Sequence, residues 1–197
     1  MLSLSLTNMS EFEEAQEVLQ NAQLIHSADK VTQAIADIAR QLNQQLQDLQ
    51  EAALVMPVMN GGLVLSGRLL PQLTFPLQID YLHATRYRNT TQGRDLQWKV
   101  EPQHDLKGRT LIIIDDIFDE GFTLQAVVDF CKQQGASRIV TVVLVEKNHP
   151  RSKAPLCCDI VGLTVEDRYV FGCGMDYKSY HRNLDGIYAM REAQNDR

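Results

Sequence analysis

Five short apolar runs, separated by turns and by stretches of helical periodicity, constrain this chain more than any other feature. Ala53–Met59, Leu77–His83, Thr110–Asp115, Arg138–Val145 and Asp159–Thr164 have strand length, and most are continuous rather than alternating in their apolar residues. A sheet wetted on one face would alternate, so continuous runs predict a parallel sheet covered on both faces. The covering helices are legible too. Val31, Ile35, Ile38, Leu42, Leu46 and Leu49 recur every three or four residues after a cap at Ser27 or Asp29, the pattern of an amphipathic helix. Gly62–Leu70 and Phe122–Gln134 predict two more, the second stopped by Gly135. The result is an α/β fold with a parallel, doubly covered sheet, whose ligands should sit beyond the carboxyl ends of the strands.

At 197 residues and 44% apolar content the chain can build one substantial core, and a single domain is expected over 1–197, with a helical region to about residue 50, the core sheet over 52–165 and a C-terminal portion from about 166. No apolar run reaches the roughly 18 residues that would span a bilayer. Glu11, Glu13, Glu14 and Glu17 do not suit a secretory leader, so a cytoplasmic protein without a membrane partner is expected. Cys131, Cys157, Cys158 and Cys173 lack metal spacing and are read as reduced core thiols. Residues 1–51 carry eight acidic and two basic side chains, which argues against a nucleic-acid partner, whereas Arg86, Arg88, Arg94, Lys99, Lys107 and Arg109 make a locally basic stretch suited to a small anion or to a solvated loop.

The most informative segment is Leu111-Ile112-Ile113-Ile114-Asp115-Asp116-Ile117-Phe118-Asp119-Glu120-Gly121-Phe122-Thr123-Leu124. An apolar strand leads into two carboxylates, a third follows, and a Gly turn opens a helix. Such a turn offers backbone N–H groups and a positive dipole end to a phosphate, with Gly121 allowing close approach and Thr123 adding a hydroxyl. Asp115 and Asp116 can accept from vicinal ribose hydroxyls or hold Mg²⁺, and Asp119 can accept a proton. One carboxylate would be explained as a helix cap; three within five residues repel one another unless a cation or polyhydroxyl ligand compensates.

This string resembles the phosphoribosyl pyrophosphate-binding motif of type I phosphoribosyltransferases, and the likeness extends over most of the chain beyond residue 52. Leu54-Val55-Met56-Pro57-Val58-Met59-Asn60-Gly61-Gly62 is similar to the pyrophosphate loop of the hypoxanthine-guanine enzymes. Val145-Glu146-Lys147-Asn148-His149-Pro150-Arg151-Ser152 looks like the strand end whose Lys reads the purine 6-oxo group, and Arg168-Tyr169-Val170-Phe171-Gly172-Cys173-Gly174-Met175-Asp176-Tyr177 like the base-binding hood, which would occupy residues from about 166. The resemblance implies that Asp119 is catalytic. It implies that Asp115, Asp116, Glu120, Gly121, Phe122, Thr123, Asn60, Gly61, Gly62 and Arg182 bind phosphoribosyl pyrophosphate. Lys147, Tyr169, Val170 and Asp176 would hold the purine, and Asp115, Asp116 and Asp176 would hold Mg²⁺. Arg86 and Tyr87, in the polar stretch Thr85–Gly93, would form a lid that excludes water.

Two positions depart from the family's pattern. Glu120 replaces a phosphate-contacting Thr, and Asn60 stands where many relatives carry Lys. The activity implied is transfer of 5-phosphoribosyl to hypoxanthine or guanine in purine salvage, by a homodimer or homotetramer. A xanthine-preferring transferase and a nucleotide-binding regulator of the same fold remain open as alternatives. Adenine fits poorly, because its 6-amino donor would face a Lys donor.

Overall fold

The computed structural model describes residues 9–86 and 96–191. In chain order the elements are α1 (Glu11–Asn21), β1 (Gln23–His26), α2 (Ala28–Gln45), β2 (Ala53–Pro57), α3 (Gly62–Leu69), β3 (Leu77–Ile79), β4 (His83–Arg86) and β5 (Leu96–Val100). They continue with β6 (Thr110–Phe118), α4 (Phe122–Gln133), β7 (Arg138–Asn148), β8 (Ile160–Glu166), β9 (Val170–Phe171) and β10 (Ile187–Ala189).

Five strands form a parallel sheet in the order β3-β2-β6-β7-β8. Successive residues of β6 enter opposite cores, which is why that strand is apolar throughout: Ile112 and Ile114 pack with α2 and α3, Leu111 and Ile113 with α4. Ser27 caps α2, its hydroxyl accepting from the Lys30 amide at 3.3 Å, and Asp29 lies in the first turn. Val31, Ile35, Ile38 and Leu42 are fully buried beneath that cap, as the heptad-like spacing requires.

The chain leaves β2 towards β3 on one side, whereas β6 leads to β7 and β8 on the other. The crevice between the carboxyl ends of β2 and β6 is therefore the point where strand order reverses, the usual ligand position in open parallel sheets.

Several expectations need correction. The run expected as one strand over 77–83 breaks at Asp80. That carboxylate is buried and accepts from the amides of Tyr81, Gln103 and His104 at 2.7–2.8 Å, with the His104 ring at 2.9 Å. The regular strand ends there, the chain still follows β2 through the Asp80 amide on the Val55 carbonyl and a parallel bridge between Val58 and Leu82, and from His83 it pairs with β5 as β4. Burial pushes the Asp80 carboxyl up, but the His104 amide and ring and the other two amides outweigh it and hold it below the ordinary carboxylate range. β6 and β7 outrun their expected ends and stay paired as far as Phe118 opposite Glu146, so Asp115 and Asp116 lie within the strand rather than at its end. Cys157 is exposed and Cys158 only half-buried, unlike the buried thiols Cys131 and Cys173; all four are free.

A second, antiparallel sheet of order β1-β10-β9 stands over the carboxyl end of the main one. It is a hood built from both ends of the chain, since β1 comes from the acidic N-terminal region. Against it packs α1, with Ala15 buried beside Phe171 and Tyr177. Among the described residues no helix is long and apolar enough to cross a membrane.

Candidate active site

An open cleft of about 1090 Å³ lies at the crevice, between the sheet and the hood. Five chain segments line it: Val58 to Gly61 after β2, Ala84 of β4, the stretch from Asp115 to Leu124 apart from Phe118, which runs from the end of β6 into α4, Lys147 of β7 with Arg151 just beyond it, and Tyr169, Val170, Met175, Asp176 and Arg182 from the hood.

The floor is made by close backbone approach. A Cβ on Gly61 would sit on the Asp116 carboxylate, and one on Gly174 would strike the Gly61 carbonyl, so only glycine lets loop, carboxylate and hood meet here. The Met59–Asn60 peptide bond is cis. Gly62 does not join the floor as expected: its N–H donates to the Val58 carbonyl at 2.8 Å, and a Cβ there would strike the Ile114 carbonyl. It fits α3 against β6 and has no N–H to offer a ligand. Asn60 and Gly61 do line the cleft.

Asp115 and Asp116 face it from β6. Burial pushes both carboxyls above their ordinary range; Asp116 repels Asp115 further, and Arg182 partly offsets both. The Arg182 guanidinium lies 3.7 Å from Asp116 and 2.6 Å from Asp176, and donates to the Gly174 carbonyl at 2.5 Å. One cation thus stands among carboxylates from the sheet and the hood. Asp115, Asp116 and Asp176 do not converge into a ready three-ligand cage, and no such group occurs among the described residues. What they offer is one or two carboxylates beside a cleft, the donor set on which Mg²⁺ sits when substrate phosphates supply further oxygens.

Beyond the acidic pair the chain turns at Gly121, whose φ of 76° is left-handed and whose Cβ would strike the Phe118 ring. α4 starts there without a side-chain cap, and Phe122, Thr123 and Leu124 in its first turn line the cleft. The positive end of a twelve-residue helix is therefore directed at the space a phosphate would take.

Asp119 occupies the wall in a more crowded arrangement than the sequence suggested. Its Oδ2 accepts from Lys147 Nζ at 2.9 Å, and its Oδ1 faces Arg151 Nη2 at 2.7 Å and His149 Nε2 at 2.9 Å. Partial burial raises its carboxyl, but the Lys147 hydrogen bond and charge, then Arg151 and His149, hold it below the ordinary carboxylate range. Lys147, expected as a separate base-reading group, is thus bonded to the expected proton acceptor. Arg151 also bridges Glu120 at 3.2 Å and Asp167 at 2.8 Å, which neutralises the carboxylate at the departing motif position.

His149, Arg151 and Asp167 were not singled out from the sequence. The first two lie within the quoted Lys147 string, but nothing in their spacing separates them from ordinary surface residues. Tyr169 and Val170 line the cleft; Tyr169 is 51% exposed and its hydroxyl donates to the Asp176 carbonyl at 3.2 Å. Of the expected lid, Arg86 closes β4, while its side chain and Tyr87 lie outside the described residues.

Fold and site together define an α/β protein with a helix N-terminus and an acidic pair on one cleft at the switch point of a parallel sheet. The chain belongs to the phosphoribosyltransferase family, the model for the phosphoribosyl transferase domain matching residues 22–179. It is 30% identical over 174 residues to the hypoxanthine-guanine phosphoribosyltransferase of Bacillus subtilis, covering 85% of this chain and 92% of that one. It is 24% identical over 170 residues to the hypoxanthine-guanine-xanthine enzyme of Tritrichomonas foetus, covering 86% and 92%. The crystal structure of a hypoxanthine phosphoribosyltransferase from Staphylococcus aureus superposes with a TM-score of 0.81 over 88% of this chain and 94% of that one, at 20% identity, which establishes the shared fold.

Proposed function

We propose that the protein transfers the 5-phosphoribosyl group of phosphoribosyl pyrophosphate to hypoxanthine or guanine, giving IMP or GMP and pyrophosphate in purine salvage. The observation that carries this reading is the placement of the acidic pair and the α4 terminus on one wall of a cleft whose other walls hold Lys147 and Tyr169.

The ribose hydroxyls of the donor bind Asp115 and Asp116, and its 5-phosphate takes the turn of Gly121, Phe122 and Thr123. Arg182 and the amides of Asn60 and Gly61 meet the pyrophosphate. One or two of Asp115, Asp116 and Asp176 would hold Mg²⁺ together with substrate oxygens, and the ion would supply charge neutralisation for the leaving group. The purine stacks on Tyr169, its edge is read by the Val170 backbone, and its 6-oxo group accepts from Lys147. The C1–pyrophosphate bond breaks as purine N9 bonds to ribose C1, and the proton lost from the base goes to Asp119. Because Lys147 holds Asp119 before substrate arrives, the incoming 6-oxo group competes for that ammonium and releases a more basic carboxylate as the purine binds. The free thiols support a cytoplasmic setting, and exposed Ile79 and Tyr81 at the β3 edge support a homodimer or homotetramer.

An absorbance assay with phosphoribosyl pyrophosphate and Mg²⁺ against hypoxanthine, guanine, xanthine and adenine tests the proposal. Turnover of the first two is expected. Turnover of xanthine alone would make this a xanthine enzyme, and donor binding without any turnover would favour a nucleotide-binding regulator.

A further inference from the structure

The region matched by the family begins at residue 22, yet α1 over 11–21 makes close polar contacts with the hood. Glu14 Oε1 accepts from the Tyr177 hydroxyl at 2.5 Å, Glu14 Oε2 from Lys178 Nζ at 2.6 Å, and the Ala15 carbonyl from His181 Nε2 at 2.7 Å. All three partners fall between Asp176 and Arg182, the two hood residues that carry charge into the cleft.

That short segment has an unfavourable backbone. Lys178, Ser179 and His181 have φ of 46°, 73° and 68°, left-handed values for residues that carry a Cβ. Such a conformation is unfavourable for a residue with a Cβ and persists only where its surroundings hold it. Two of the three, Lys178 and His181, are the ones bonded to α1. Tyr177, the other partner of Glu14, sets its ring edge-on to Tyr169 with centroids 5.8 Å apart. The Tyr169 ring presents its exposed side to the cleft and is backed by Tyr177. α1 itself is only three turns long, marginal as an isolated helix; a capping box between Ser10 and Glu13 closes its start, and Ala15, Val18 and Leu19 pack on Phe171 and Tyr177.

We infer that α1 is a clamp on the hood, in which Glu14 acts as a positioning residue: through Tyr177 and Lys178 it holds the Asp176–Arg182 segment in its strained path and sets the ring of Tyr169 against the base. This rests on the assignment of Tyr169 and Arg182 to substrate binding. The clamp makes no contact with the reacting atoms, so it governs KM for the purine and for the pyrophosphate-bearing donor rather than the chemical step.

The test uses the full chain with Glu14→Ala, Glu14→Gln and Tyr177→Phe. Glu14→Ala removes two hydrogen bonds to a charged acceptor and should raise KM for hypoxanthine about tenfold, with kcat within about twofold of the parent. Glu14→Gln keeps an acceptor for Tyr177 and should fall between the two. Combining Glu14→Ala with Tyr177→Phe should cost no more than Glu14→Ala alone, since the hydrogen bond that Tyr177→Phe removes is already lost in Glu14→Ala. Hydrogen exchange of the amides over 176–182, measured without substrate, should quicken in Glu14→Ala while that of β6 and β7 does not. Unchanged exchange over 176–182 overturns the clamp whatever the enzyme turns over, as does an additive double variant or a loss confined to kcat. If the parent turns over no purine while exchange responds as expected, the clamp stands and the substrate assignment fails.

Discussion

Asp119→Asn separates two roles that the geometry combines in one side chain. The amide keeps the shape of the carboxylate but can take no proton from the purine, so kcat should fall by roughly 10²–10⁴, a barrier increase of about 3–5 kcal/mol. The stability cost should be much smaller. Arg151 keeps Glu120 and Asp167 as partners, and a neutral His149 can still donate to the Asp119 carbonyl at 3.2 Å. Lys147, with a side chain only 11% exposed, is the cation left without its carboxylate. Asp119 is 37% exposed, so solvent screening discounts the pair, and a loss of about 1 kcal/mol is expected. For a chain of this length that is about 2–4 °C in Tm. The pH dependence has a fixed sign. Because the folded carboxyl is held below its ordinary value, its contribution is present above the unfolded pKa and is lost as pH falls through the folded one. The Tm gap between parent and variant, read by scanning calorimetry from pH 7 downward, should therefore narrow on the acid side. Intact turnover would end the proton-acceptor role of Asp119; a gap that widens on acidification would refute the pairing with Lys147.

Three other predictions test the floor, the wall and the frame. Gly61→Ala places a methyl on the Asp116 carboxylate and should raise KM for phosphoribosyl pyrophosphate at least about tenfold, checked by steady-state kinetics with hypoxanthine saturating. Tyr169→Ala removes the stacking surface and should weaken the purine by about 1–2 kcal/mol, read as a KM increase of roughly five- to thirtyfold with kcat little changed. Ser27→Ala deletes the α2 cap and should cost about 1 kcal/mol in urea unfolding with kinetics unaltered; altered kinetics would mean that α2 communicates with the cleft.

The fold class and much of the site were legible because each rests on a local signal. Continuous apolar runs report burial on both faces whatever the topology, and the acidic string after the Leu111–Ile114 run carries strand, carboxylates, turn and helix start within fourteen residues. Where a signal is not local, the sequence was silent. Nothing near Lys147 says that its ammonium meets Asp119, because that pair depends on β6 and β7 staying in register to Phe118 and Glu146. Gly61 and Gly62 look alike in sequence, yet one faces a carboxylate and the other a backbone carbonyl. The break at Asp80 needed the amides of Gln103 and His104, more than twenty residues away.

The hood shows the same division most clearly. Its strands are two to four residues long, too short for periodicity to announce them, and its outer member β1 is separated from β10 by most of the chain. Sequence alone determined that a parallel sheet would end in an acidic, glycine-turned strand leading into a helix. Tertiary structure alone decided which cation faces which carboxylate and that the N-terminal helix reaches Tyr177, because such contacts depend on the path of the whole chain and not on the residues at either end.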